Sequence, residues 1–193
     1  MKSNILVING HPDPQSFCTA LSDAYIEGVL TSKAQVRSID VSKITFNPNL
    51  QFGYRKRTEL EEDLVEAQKL IHWADHLVFV YPTWWGVMPA ILKGFIDRVF
   101  LPGFAYKYRK NSSTVEKLLI GKSAHLIVTL DTPSWYNKLV YMNAGHHVMK
   151  RNILKFCGVS PVRVTELGPI RGSSDKLRAQ WLAKVNQLGS KLA

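Results

Sequence analysis

Three short segments carry the residue types that do chemistry. The first is Gly10-His11-Pro12-Asp13-Pro14-Gln15-Ser16-Phe17-Cys18, a turn that runs into a predicted helix. An imidazole, a hydroxyl and the first N–H groups of that helix suit an anion, because helix N-termini present unpaired donors at a positive dipole end. Ser16 also reads as a simple N-cap, and His11 as a turn residue bonded to its own loop. The second segment is Tyr81-Pro82-Thr83-Trp84-Trp85-Gly86-Val87-Met88-Pro89. Two adjacent tryptophans just past a strand cannot both fill the core beneath it. They predict an aromatic wall for a flat ring, or an oligomer contact. With no strand continuing there, the N–H groups of Thr83, Trp84, Trp85 and Gly86 are predicted free for a polar ring edge. The third is Asp131-Thr132-Pro133-Ser134-Trp135-Tyr136, another strand-end loop with hydroxyls and aromatics. Nothing resembles a Ser-His-Asp triad or paired carboxylates, and neither G-x-G-x-x-G nor G-x-x-x-x-G-K-[ST] occurs. A cofactor must carry any difficult chemistry.

Positioning these loops falls to an alternation of short apolar runs and amphipathic stretches. Ile5–Ile8, Leu77–Tyr81 and Leu126–Leu130 are continuous apolar runs, the pattern of strands buried on both faces. Gln35–Asp40 and Val162–Leu167 are mixed, the pattern of edges. Between them lie predicted helices over Ser16–Leu30, from Thr58 onward, Pro89–Phe100 and Asn137–Gly158. A last helix is capped by Ser173 or Ser174, with Leu177, Trp181, Val185, Leu188 and Leu192 on its face. Thr58 and Glu61 have the spacing of a capping box, and Glu59, Glu61, Glu62 and Asp63 read as a solvated first turn rather than a metal site. Phe104–Tyr108 is predicted to pair as a short ribbon before the polar Lys110–Thr114 loop. Five strands alternating with five helices predict an α/β, three-layer, doubly wound fold with a parallel sheet in the order 2-1-3-4-5. Ligands in such sheets bind beyond the carboxyl ends of the strands, where all three segments fall.

The chain has 193 residues, a size that predicts one domain over 1–193 with no need for a disulfide or metal. Cys18 and Cys157 lack metal or CxxC spacing and read as buried thiols. No stretch approaches the length of a membrane span and no signal peptide opens the chain, so a cytoplasmic, soluble protein is expected. Lys and Arg number 25 against 15 Asp and Glu, a net charge of +10. The basic residues are scattered, at Arg55–Arg57, Lys107–Lys110, Lys150–Arg151 and the last helix. No nucleic-acid motif accompanies them, so a nucleic-acid partner is not expected.

Residues 81–106, Y-P-T-W-W-G-V-M-P-A-I-L-K-G-F-I-D-R-V-F-L-P-G-F-A-Y, resemble the P-x-x-W…P-A-x-L-K-G…R-V-F…F-A-Y signature of the flavodoxin-like NAD(P)H:quinone oxidoreductases. Gly10–Phe17 resembles that family's opening A/G-H-P-x-x-x-S-F pattern, and the likeness runs over most of the chain. The resemblance implies a non-covalent flavin, FMN or FAD, with its phosphate on His11, Ser16, Phe17 and Cys18. Its ring would lie against Pro82, Thr83, Trp84, Trp85 and Gly86. It further implies ping-pong transfer of hydride from NAD(P)H to a quinone or similar small aromatic acceptor. The active site would lie at the interface of a homodimer that uses the tryptophans and the Phe104–Tyr108 ribbon. The family stabilises charge at the ring edge with a Tyr and a His, here Tyr136 and His146 or His147. Its T-T-G-G loop is replaced by T-L-D-T, which brings Asp131 and Thr132 in place of the glycines. A flavin- or nucleotide-binding ancillary subunit of a membrane transporter is the alternative, since some relatives have that role. An electron carrier of the flavodoxin kind fits less well, because such carriers are acidic.

Overall fold

The computed structural model describes residues 3–56, 58–109 and 114–191. Arg57, residues 110–113 and Leu192, which the sequence assigned to a basic cluster, a polar loop and the last helix face, lie outside the described residues. The central sheet is formed by β1 (Asn4–Asn9), β2 (Gln35–Asp40), β3 (His76–Pro82), β6 (Ser123–Thr129) and β7 (Val162–Leu167), all parallel, in the order β2-β1-β3-β6-β7. Counting sheet strands alone, that is the predicted 2-1-3-4-5. The uniformly apolar strands are the three central ones and the mixed strands are the edges, as a sheet covered on both faces requires.

Alternation along the strands splits the core in two. Leu6, Ile8, Leu77, Phe79, Leu126 and Val128 face α2 (Glu62–Trp73) and α3 (Ala90–Val99). Ile5, Val7, Val78, Val80 and Ile127 face α1 (Phe17–Leu30) and α6 (Asp175–Ser190). These last two helices touch backbone to backbone. A Cβ on Gly28 would collide with the Asn186 carbonyl oxygen, and one on Gly189 with that of Tyr25, so both positions require glycine. β4 (Tyr106–Tyr108) pairs antiparallel with β5 (Val115–Lys117), which realises the predicted ribbon. Cys18 and Cys157 are buried free thiols, and burial raises their pKa to about 11 and about 12.

Two local predictions are corrected. No capping box forms at Thr58: the helix begins only at Glu62, and Glu61 makes no side-chain cap. A longer-range partner wins instead. The Glu61 carboxylate accepts from the Asn47 N–H at 2.9 Å and from the fully buried Arg98 at 2.7 Å. The second correction concerns the expected continuous helix over Asn137–Gly158. The chain forms α4 (Ser134–Leu139), breaks where Met142 and Asn143 take left-handed φ of 50° and 53°, and resumes as α5 (Ala144–His147). A π-helical stretch, Val148–Lys155, continues directly from α5. α4 has no buried residue, so no packing holds it in line with the helix beyond the break. No helix among the described residues is long and apolar enough to cross a membrane.

Candidate functional site

The loops after β1, β3 and β6 meet at the carboxyl edge of the sheet, on either side of the switch between β1 and β3. They enclose a cavity of about 280 Å³ lined by His11, Asp13, Ser16, Phe17, Cys18, Pro82, Thr83, Trp84, Thr129, Leu130, Asp131 and Ile170. A second cavity of about 550 Å³ shares Thr83, Leu130 and Asp131 with it and adds Trp85, Gly86, Val87, Thr132, Asn137, Tyr141 and Ala144. All nine cofactor-binding candidates therefore gather around two contiguous cavities: His11, Ser16, Phe17, Cys18, Pro82, Thr83 and Trp84 in the first, Trp85 and Gly86 in the second.

The first loop is built to leave donors facing outward. Ser16 caps α1, accepting from the Thr19 N–H at 3.3 Å. The N–H groups of Phe17 and Cys18, one turn too early for intrahelical bonding, have no partner among the described residues. His11 Nδ1 accepts from the Asp13 N–H at 2.9 Å. Partial burial lowers the pKa of His11, outweighing the nearby Asp13, so the ring is neutral at pH 7. With Nδ1 an acceptor, the proton sits on Nε2, which is a donor. Two carboxylates share the lining, and each is oriented by a backbone N–H: Asp13 by Gln15 at 2.9 Å, Asp131 by Arg171 at 2.7 Å.

The tryptophan loop departs from expectation. Thr83 donates its N–H to the Thr129 carbonyl at 2.7 Å, and Trp84 donates to Val87 at 2.8 Å, with Val87 donating back at 3.1 Å. Those two N–H groups are therefore not free for a ring edge. The reciprocal bond closes a two-residue turn whose centre, Trp85 and Gly86, has φ of 51° and 79°. Both positive values mark the tight hairpin turn that normally demands Gly or Asn, so a Trp at its first position is strained. Trp85 and Gly86 keep N–H groups with no partner among the described residues. The turn holds the Trp85 side chain entirely in solvent, at 102% relative exposure, beside a Trp84 exposed at 44%. The His11 ring meets Trp84 edge-on at 5.3 Å.

Tyr136 and His146 are not brought into these cavities. Tyr136 packs edge-on against Trp135 at 5.6 Å and Tyr141 at 5.2 Å. His146 is buried against Glu166, Nδ1 to Oε1 at 3.1 Å, and lines a different cavity with His147. The phenol that does line the second cavity is Tyr141, which sequence reading missed. Its position depends on the break at Met142–Asn143, and only Asn143, a residue tolerant of left-handed backbone, hinted at one. Asn137, Thr129 and Ile170 were missed as well, because they reach the cavities from elements whose spacing reads as plain helix, strand or loop. Among the described residues no cluster of His, Cys, Asp and Glu could hold a metal.

Comparison with known proteins places the chain. A family model described as a flavodoxin-like fold matches residues 3–189. An uncharacterised NAD(P)H oxidoreductase of Haemophilus influenzae is 29% identical over 189 residues, covering 95% of this chain and 93% of that protein. A ribosyldihydronicotinamide dehydrogenase-like protein of Penicillium crustosum is 32% identical over 151 residues, 65% of this chain, which spans only 57% of that longer relative. Among solved structures, Smu.1420 from Streptococcus mutans superposes with a TM-score of 0.85 at 40% identity, covering 97% of this chain and 99% of the other. The NAD(P)H:quinone oxidoreductase from Methanothermobacter marburgensis gives 0.85 at 25% identity over 100% of both chains. With a sheet of this order, a site at this switch point and a family match over nearly its whole length, the chain belongs to the flavodoxin-like fold family.

Proposed function

We propose that the protein is a flavin-dependent NAD(P)H:quinone-type oxidoreductase, one flavin-binding domain with its site in the two contiguous cavities. The observation that carries this reading is the pairing of an anion cradle with an aromatic wall across a shared border of Thr83, Leu130 and Asp131. A flavin, FMN or FAD, needs both: donors for a phosphate ester and a flat face for a tricyclic ring. The donor set fits, being one imidazole N–H and two helix N-terminal amides. The names of the relatives from Haemophilus and Methanothermobacter support the NAD(P)H and quinone assignments.

Once bound, the flavin supplies the hydride-accepting and hydride-donating centre. The protein's part is position and polarity. His11 Nε2–H and the Phe17 and Cys18 amides hold the phosphate end. Pro82, Thr83, Trp84, Trp85 and Gly86 line the ring, and the amides of Trp85 and Gly86 are the donors left for its polar edge. Tyr141 offers its hydroxyl where Tyr136 was expected to, and Tyr136, packed edge-on against it, acts as a positioning residue. NAD(P)H and the acceptor would occupy the Trp85–Tyr141 cavity in turn, with the Trp85 indole and the Tyr141 phenol at its wall to orient them.

A homodimer belongs to this reading. Trp85, Val87 and Tyr141 leave an apolar rim exposed around the second cavity, which a second copy would cover. Sedimentation should give a dimer. Purified protein should be yellow, absorb near about 450 nm as flavoproteins do, and release FMN or FAD on denaturation. Colourless protein that takes up neither flavin would overturn the assignment. A panel of quinones with NADH and NADPH then identifies the acceptor.

A further inference from the structure

Asn137 lines the Trp85–Tyr141 cavity, and the hydrogen bonding around it leaves one of its polar atoms unused. Its N–H donates to the Pro133 carbonyl at 3.0 Å, and its own carbonyl accepts from the Asn143 N–H at 3.0 Å across the break after α4. Its side-chain Nδ2 donates to Glu166 Oε1 at 2.9 Å and to Asn143 Oδ1 at 3.3 Å. A carboxylate only accepts, so the end of the amide turned to Glu166 is the nitrogen, and both of its hydrogens are taken. Oδ1 has no partner among the described residues and is not one of the buried orphaned atoms, so it keeps accessible surface. Neither Glu166 nor Asn143 lines the Trp85–Tyr141 cavity, so the oxygen is the end of the amide left to face it.

This oxygen is also held in register with the aromatic wall. Ala144, the first residue of α5, lines the same cavity, and Gly145 lies so close to the Gly86 carbonyl that a Cβ there would collide. The segment to which Asn137 is bonded therefore packs backbone to backbone on the turn that carries Trp85. An acceptor fixed in this way adds no ordering cost when a ligand donates to it.

The two ligands that use the cavity in turn differ in what they offer. An oxidised quinone presents carbonyl oxygens, which accept only, and the Tyr141 hydroxyl can donate to them. A nicotinamide ring carries a carboxamide whose N–H groups donate. Asn137 Oδ1 cannot donate, so it suits the second ligand and not the first. We propose that Asn137 is a specificity-determining residue that accepts from the nicotinamide carboxamide and orients the hydride donor without assisting the quinone. The assignment rests on the oxidoreductase reading of this cavity, and Glu166 acts in it as a positioning residue that keeps the oxygen of Asn137 outward.

The probes are NAD+ and NADP+, each against its 3-acetylpyridine analogue, in which a methyl ketone replaces the carboxamide and the N–H donors are lost. None of the four can give hydride to an oxidised flavin, so tryptophan fluorescence of the flavin-loaded protein reads binding alone. The carboxamide forms should bind about five- to tenfold more tightly than the ketones. Asn137→Leu should abolish that preference. In turnover it should lower kcat/KM for NAD(P)H about five- to tenfold, while kcat/KM for tetramethyl-1,4-benzoquinone, which has no N–H or O–H, changes by less than about twofold. Glu166→Gln, whose amide can donate as well as accept, should reduce the preference to about threefold or less, and it carries the test if Asn137→Leu does not fold. Equal affinity for amide and ketone in the unaltered protein overturns the assignment. So does an unchanged preference in Asn137→Leu or, should that variant not fold, in Glu166→Gln. Equal losses of kcat/KM for coenzyme and quinone overturn it as well, since they mark general disruption of the cavity. A protein that oxidises NAD(P)H yet shows no preference for the amide defeats this role of Asn137 alone. One that oxidises neither coenzyme defeats the oxidoreductase reading, and this assignment with it.

Discussion

Trp85 is the residue at which the demands of stability and of the site part company. Its left-handed backbone is a conformation that an L side chain adopts at an energy of about 1–2 kcal/mol, while its indole gains nothing by burial. Trp85→Gly should therefore raise the unfolding free energy by about 0.5 kcal/mol, after allowing for the added freedom of an unfolded glycine. The same change should weaken flavin binding and slow turnover, by loss of the stacking face. Thermal melts of the apoprotein and a flavin fluorescence titration read the two effects separately. A variant that loses stability and keeps its flavin affinity would remove Trp85 from the site. Trp84 differs: it is about half exposed, meets the His11 ring edge-on and is tied at both backbone groups to Val87.

At the scale of elements, the stretch from Asn47 to Glu61 is held by one buried cation. Arg98 of α3 donates to the carbonyls of Asn47 and Glu59 and to the Glu61 carboxylate. Burial opposes ionisation of Glu61, but the Asn47 N–H and the Arg98 guanidinium outweigh it and hold its carboxyl below the usual carboxylate range. Glu61→Ala leaves Arg98 in the core with carbonyl partners only and should lower stability by about 3 kcal/mol, measured by urea unfolding. A loss under about 1 kcal/mol would mean that the two carbonyls suffice. Sequence reading placed Glu61 on the right helix end and gave it the wrong partner, because a capping box is local while Arg98 is 37 residues away. The five sheet strands, by contrast, were legible outright, since burial on both faces or one writes itself into consecutive residues. The loops that gather around the two cavities were legible for the same reason: each follows the end of a sheet strand. Tyr141 was not, because the helix break that places it arises from a lack of packing around α4, and missing contacts leave no pattern in sequence.

For the molecule as a whole, two histidines inside the sheet set a limit on acid stability. His76 bonds Ser123 at 2.7 Å and His125 bonds Thr165 at 2.8 Å. Burial lowers each pKa from 6.5 to about 4, aided by the repulsion of His125 and Arg163 on His76, and of Arg163 and Lys184 on His125. Since the folded values lie below the unfolded ones, the unfolded chain takes up protons first as pH falls. Stability from these groups is complete above pH about 6.5 and is lost on the way down to about 4. Urea unfolding at pH 5 should show about 3 kcal/mol less stability than at pH 7.5, and His76→Gln should reduce that difference. Equal midpoints at the two pH values would contradict it. The net charge of +10 adds to the same trend, because further protonation increases self-repulsion.

The glycine contacts between α1 and α6 bear on how the chain is made. α6 closes over α1 and the sheet face carrying Ile5, Val7, Val78, Val80 and Ile127, yet it is translated more than a hundred residues after α1. On the ribosome the other face, under α2 and α3, has its covering helices early. The α1 face waits for residues 175–190 to emerge, with Leu21, Tyr25 and Val29 lacking their partner helix until then. That half of the nascent protein is where chaperones would bind and where stalled synthesis would lead to aggregation.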